Sequence, residues 1–142
     1  MKKILLITSV LLVAVISTAC INNFAVQDLN NKAQSYMQKG DYTQAIERLK
    51  SSIELDDSVF ESHYNLAVAY TRLFEYEEAA ASFRCAYRLN NSSESLESLL
   101  LCSLLEGDEE RLKIDQKKYG ISDTVVNRLR SEIIRRKVHI QS

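Results

Sequence analysis

Residues 40–58 read GDYTQAIERLKSSIELDDS, and residues 74–92 read FEYEEAAASFRCAYRLNNS. The second stretch begins 34 residues after the first and follows the same plan. Asp41 matches Glu75, Tyr42 matches Tyr76, Ala45 matches Ala79, and Leu49 matches Phe83. Ser52/Ala86 and Leu55/Leu89 continue the series, and Ala33/Ala67 with Tyr36/Tyr70 extend it upstream. A fixed period of this length marks units that cannot bury their apolar faces alone, so each must stack on the next.

Each unit holds two amphipathic runs. In the first unit, Leu29, Ala33 and Tyr36 share one helical face, and Tyr42, Ala45, Ile46, Leu49 and Ile53 share another. Gly40-Asp41 separates the runs, supplying a turn and then a helix start. Phe74 stands at the equivalent of Gly40. Ser58-Val59-Phe60-Glu61 reads as a capping box that opens the second unit, and Asn91-Ser92-Ser93-Glu94 offers similar logic after it. The alanines at 33, 45, 67 and 79 fall where two antiparallel helices must approach closely.

The composition suits helix. Of 142 residues, none is proline and three are glycine, while 46% are apolar, enough for one modest domain. The formal net charge of −1 hides an uneven distribution. Residues 21–110 carry seven Lys/Arg against sixteen Asp/Glu, a balance of −9, and residues 111–142 carry nine against three, a balance of +6. An acidic body therefore ends in a basic segment.

The period, the alanines, the tyrosines, the GDY-x-x-A-I phrase and the closing I-x-L-D-D together resemble a tetratricopeptide repeat (TPR) protein. Asp57 and Asn91 replace the proline that usually closes each unit. The resemblance implies an all-α, right-handed α-solenoid, with two clear repeats over residues 26–93. A degenerate third unit is expected at 94–120, where Leu96, Leu99, Leu100, Leu104 and Leu105 form the first helix and Gly107-Asp108 the turn. Its second helix has Leu112 or Lys113 where an alanine belongs. After Gly120, residues 121–142 form a basic capping helix with Val126, Leu129, Ile133 and Val138 on its apolar side. Seven helices are expected in all.

The chain opens MKKILLITSVLLVAVISTAC. Lys2 and Lys3 precede an apolar run from Ile4 to Ile16, and small residues lead to Cys20, the order of an export signal. The segment resembles a bacterial lipoprotein signal, which implies a signal peptide at 1–19, lipidation of Cys20 and a short lipidated linker at 20–25. Ser17 stands where a leucine is usual, so soluble export and a retained anchor stay open as alternatives. Ile21 is not the aspartate that holds many such lipoproteins at the inner membrane. The resemblance thus implies the periplasmic side of an outer membrane, if the cell has one.

No catalytic constellation is legible, and no enzyme or cofactor is expected. There is no phosphate-cradling glycine loop and no nucleophile elbow, and His63 and His139 lie far apart. The acidic pairs sit at turns and helix starts, where carboxylates favour the helix dipole. His63 reads as a packing or groove residue. Cys85 and Cys102 read as small apolar residues, with a disulfide as the minor reading. Export makes nucleic acid a poor partner for the basic end.

TPR arrays use the first helix of each unit to line a concave groove for a peptide or partner helix. Carried over by position, the groove here has Asn30, Gln34, Met37 and Gln38 from the first unit. The second unit adds Glu61, Tyr64, Asn65, Val68, Thr71 and Arg72. Some TPR proteins clamp a C-terminal carboxylate. Asn65 matches one clamp position, but Asn30 stands in place of a lysine and Gln34 in place of an asparagine, with Ser95 and Leu99 where cations belong. The expected clamp is therefore absent, and the groove is polar amide around Tyr64. These features imply a membrane-anchored adaptor that binds a partner protein and supports assembly of an envelope complex. The second reading is a structural subunit that packs through its outer faces.

Overall fold

The computed structural model describes residues 23–141, with side chains to residue 135. The export signal and Cys20 lie outside the described residues. Seven helices follow one another among the described residues: α1 (23–38), α2 (Tyr42–Leu55), α3 (Phe60–Arg72), α4 (Tyr76–Asn90), α5 (Ser93–Glu106), α6 (Glu109–Tyr119) and α7 (Asp123–Gln141). Helix α1 is already formed at residue 23, inside the stretch expected as linker. No helix among the described residues is long and apolar enough to cross a membrane.

The repeat recurs bond for bond at its turns. The Asp41 amide donates to the Tyr36 carbonyl and the Gly40 amide to Met37, both at 3.0 Å. Thirty-four residues on, Glu75 donates to Tyr70 at 3.0 Å and Phe74 to Thr71 at 3.2 Å. This pairing needs a left-handed residue after the helix. Gly40 adopts it at φ +77° without cost, whereas Phe74 is held there at φ +63° with its ring mostly exposed. The Asp41 carboxylate then caps α2 by accepting from the Gln44 amide, and Asp108 caps α6 from Arg111 in the same way.

The capping box expected at Ser58 does not form. Both the amide and the hydroxyl of Ser58 donate to the Asp56 carboxylate, at 2.9 and 2.6 Å. Those two bonds hold the Asp56 carboxyl below its ordinary pKa. Helix α3 therefore starts at Phe60 from an uncapped Val59. Ser92 does cap α5, accepting from Ser95 at 3.5 Å, but Glu94 turns elsewhere, to Tyr64.

Ala33, Ala45, Ala67 and Ala79 have no exposed surface and lie in one apolar cluster with Leu49, Phe83 and Leu99. Helix α4 packs against both α3 and α5, which makes it the centre of the array. The third hairpin is built differently. Leu112 fills the crossing where an alanine would let the helices close, and it joins Leu100, Val126 and Leu129 in a separate small cluster. Helix α7 supplies half of that cluster and so covers the end of the array. Cys85 and Cys102 are free thiols; Cys102 is buried, which raises its pKa, and it lies 3.7 Å from the Thr71 hydroxyl.

The looser third hairpin is tied back by charge. Asp115 of α6 is 2% exposed, and its carboxylate accepts from the Arg84 guanidinium of α4 at 2.7 and 3.4 Å. Removing one partner of such a pair strands the other charge, at a cost of roughly 3 kcal/mol when one side is partly solvated. Asp115→Ala should therefore lose about that much stability in urea unfolding, whereas the double change Arg84→Met with Asp115→Leu should recover most of it. Equal losses in the single and double variants would show that the pair carries no coupling.

Candidate functional site

Helices α1 and α3 stand side by side on one face of the array, and the groove between them encloses about 470 Å³. Its polar walls are the amides of Asn23, Gln27, Asn30, Asn31, Gln34 and Asn65, with Val26 and Val59 as apolar floor. Among the described residues, Glu61 is the single charged residue of the lining, and no lysine or arginine belongs to it. A carboxamide presents two donors and one acceptor oxygen, so a wall of them matches the alternating N–H and C=O groups of an extended main chain.

Four residues expected from the sequence meet here: Asn30, Gln34, Glu61 and Asn65. Asn30 has a structural duty as well. Its Nδ2 lies 3.1 Å from the Val26 carbonyl, 3.0 Å from Ser52 Oγ and 2.9 Å from Ser62 Oγ. Its Oδ1 accepts from Ser62 at 3.2 Å. Ser52 and Ser62 are wholly buried and bond each other at 2.9 Å. This network joins α1, α2 and α3, and satisfies polar groups that would otherwise be costly to bury. Asn30 is thus a fixed part of the wall, while Gln34 and Glu61 are exposed to whatever enters.

The remaining expected residues lie outside this groove. The Tyr64 ring packs against Phe60 and Phe83, at centroid distances of 5.5 and 5.6 Å. Its hydroxyl donates to the Glu94 carboxylate of α5 at 2.6 Å. Burial, followed by that bond, pushes the phenol up to about 12. Tyr64 therefore braces α3 against α5 and is not the open aromatic centre of the groove. Met37 and Val68 pack on the core, and the Thr71 hydroxyl donates back to the Ala67 carbonyl at 2.8 Å. Gln38 and Arg72 are exposed near the C-terminal ends of their helices. Ser95 and Leu99, at the cation positions of the carboxylate clamp, are both fully buried.

Sequence reasoning passed over Asn23, Gln27 and Asn31. Their signal was present: with Asn30 and Gln34 they recur at helical spacing along one side of α1. Placing residues 20–25 in a linker cut the stripe short.

A second concavity of about 330 Å³ opens elsewhere, lined by Ile53, Leu66, Ala81 and Ser82 with Lys50, Glu54, His63 and Cys85 at its edges. His63 is buried, and its Nε2 lies 2.9 Å from the Asp57 carbonyl, which anchors the loop between α2 and α3. Among the described residues, no group of three or more His, Cys, Asp or Glu could hold a metal ion.

Two family models match the chain. One, described as TPR repeat, spans residues 33–73, and the other, described as tetratricopeptide repeat, spans residues 60–101. No curated protein matches it. Among solved structures, it is similar to the second TPR domain of human RPAP3 in complex with the HSP70 peptide SGPTIEEVD. That match has 20% identity and a TM-score of 0.63, covering 78% of this chain and 96% of that one. The second TPR of Spaghetti (RPAP3), bound to the HSP90 peptide SRMEEVD, is 22% identical with a TM-score of 0.61, covering 79% of this chain and 98% of that one. The TPR domain of Sgt2 from Aspergillus fumigatus is 21% identical, with a TM-score of 0.58 and coverage of 80% and 79%. The chain carries tetratricopeptide repeats and has the fold of an all-α TPR solenoid.

Proposed function

We propose that this protein is a non-enzymatic adaptor that holds an extended segment of a partner protein in the groove between α1 and α3. The observation that carries the reading is the chemistry of that groove. Its walls are amides, its floor is apolar, and its one charge is negative. The similar RPAP3 domains hold peptides that end in EEVD. An acidic terminus of that kind would meet Glu61 here, with no cation among the described lining residues to receive its carboxylates. The ligand that fits is a neutral or basic internal segment, gripped through its main chain and through a cationic side chain at Glu61.

The N-terminal segment supports a place for this activity. A basic start, a short apolar run and Cys20 suit export and lipid attachment, with the repeats facing the compartment outside the inner membrane. In that setting the adaptor supports assembly of a cell-envelope complex. A second reading, a structural subunit without a peptide ligand, is favoured by the apolar concavity beside Ile53 and Leu66, which offers an outer face for packing.

Two experiments test these statements. Peptide display on the full chain in nanodiscs should enrich neutral or basic sequences, and Glu61→Lys should weaken the best basic peptide at least about tenfold, as loss of a charged hydrogen bond predicts. Tight binding of SRMEEVD to the unaltered chain, or indifference to Glu61→Lys, would remove the groove reading. Separately, metabolic labelling with palmitate should mark the chain, and Cys20→Ser should abolish the label. An unlabelled parent chain would refute lipidation.

A further inference from the structure

Helix α6 leaves one of its faces without a partner. Its inward side is occupied: Leu112 lies in the small cluster with α5 and α7, and the Asp115 charge is neutralised by Arg84. The opposite side repeats at helical spacing through Glu110, Lys113, Ile114, Lys117 and Lys118, all exposed. Ile114 is 55% exposed in the middle of this stripe. A single exposed apolar residue is ordinary. One framed by three lysines on the outer side of a helix, with one carboxylate a turn away, is a chemical pattern.

Two cations of α7 are differently used. Arg128 pairs with Glu97 at 2.7 Å, and Arg130 grips both carboxylate oxygens of Glu109. Among the described residues, no carboxylate lies within ion-pair distance of Lys113, Lys117 or Lys118, although Lys118 rests 5.1 Å from the centroid of the Tyr119 ring. Three cations of the C-terminal segment, without an ion pair among the described residues, therefore stand together on one face of α6.

We infer that this face of α6 docks on an anionic phospholipid surface, with the three lysines at the headgroups and Ile114 dipping beneath them. An outward helix face is convex and its lysines are long and mobile, so it offers no concavity to shape a protein partner. A fluid surface of negative headgroups needs none. The charge distribution also sets the orientation. With a balance of +6 over residues 111–142 and −9 over residues 21–110, an anionic surface attracts α6 and repels the repeats. The groove between α1 and α3 is thereby kept off the lipid and open.

The chain has no tryptophan, so Ile114→Trp in the full chain places one reporter at this face. With vesicles of phosphatidylglycerol, its emission should shift to the blue and be quenched by brominated acyl chains. With vesicles of phosphatidylcholine, it should stay solvent-like, even though the N-terminal segment engages both. Raising NaCl to about 0.5 M, where the Debye length shrinks to about 4 Å, should reverse the effect. Each lysine near such a surface strengthens partitioning about fivefold. Adding Lys113→Gln, Lys117→Gln and Lys118→Gln should therefore weaken the contact on the order of a hundredfold. A solvent-like reporter with both vesicle types would overturn the inference. So would equal quenching in both, or shielding by poly-glutamate with none by phosphatidylglycerol.

Discussion

Two helices reach their closest approach only where the crossing side chains are no larger than a methyl group, and the first two hairpins of this fold depend on that. Ala33, Ala45, Ala67 and Ala79 have no exposed surface. A larger residue at any of them would force the pair apart, at about 1–3 kcal/mol for each such insertion. With the crossings closed, Leu49 and Phe83 fill the space beside them, and the first helices of successive units are brought side by side. The groove is a consequence of this packing, because α1 and α3 are neighbours only while both hairpins stay shut.

The third hairpin shows what happens when the constraint is released. Leu112 takes the crossing, a second cluster forms around it, and α7 is needed to finish that cluster. The Arg84–Asp115 pair then does what close packing does in the first two units, holding the second helix of the hairpin to the body. The family-model match ends at residue 101, within α5, just before this change in construction. The freed outer side of α6 carries three lysines without an ion pair among the described residues, so the departure from the repeat coincides with a change in surface chemistry.

Much of the fold was legible because its signals are local. Gly40 and Asp41 announce a turn and a cap by residue type alone, and the alanines announce close approach by their period. What was not legible depended on competition or on distant partners. Ser58 had a capping partner in Glu61, but Asp56 lies nearer and accepts both of its donors. Tyr64 lies on the expected helix, yet its hydroxyl goes to Glu94, thirty residues away. Periodicity assigns a residue to a helix, not its side chain to a partner. Asn30 falls between these cases: its position in the groove wall was readable, while its bonds to two buried serines required the packed hairpins.

The claim that the amide-lined groove is where a partner sits is tested most directly by site-specific photo-crosslinking in cells. A reactive group at Gln34 samples the groove between α1 and α3, and one at Ala81 samples the apolar concavity beside Ile53 and Leu66. A partner held by the groove would be captured from position 34, lost when Glu61 is reversed in charge, and not captured from position 81. Capture of the same protein from position 81 alone would contradict the adaptor reading and make the outer face the working surface.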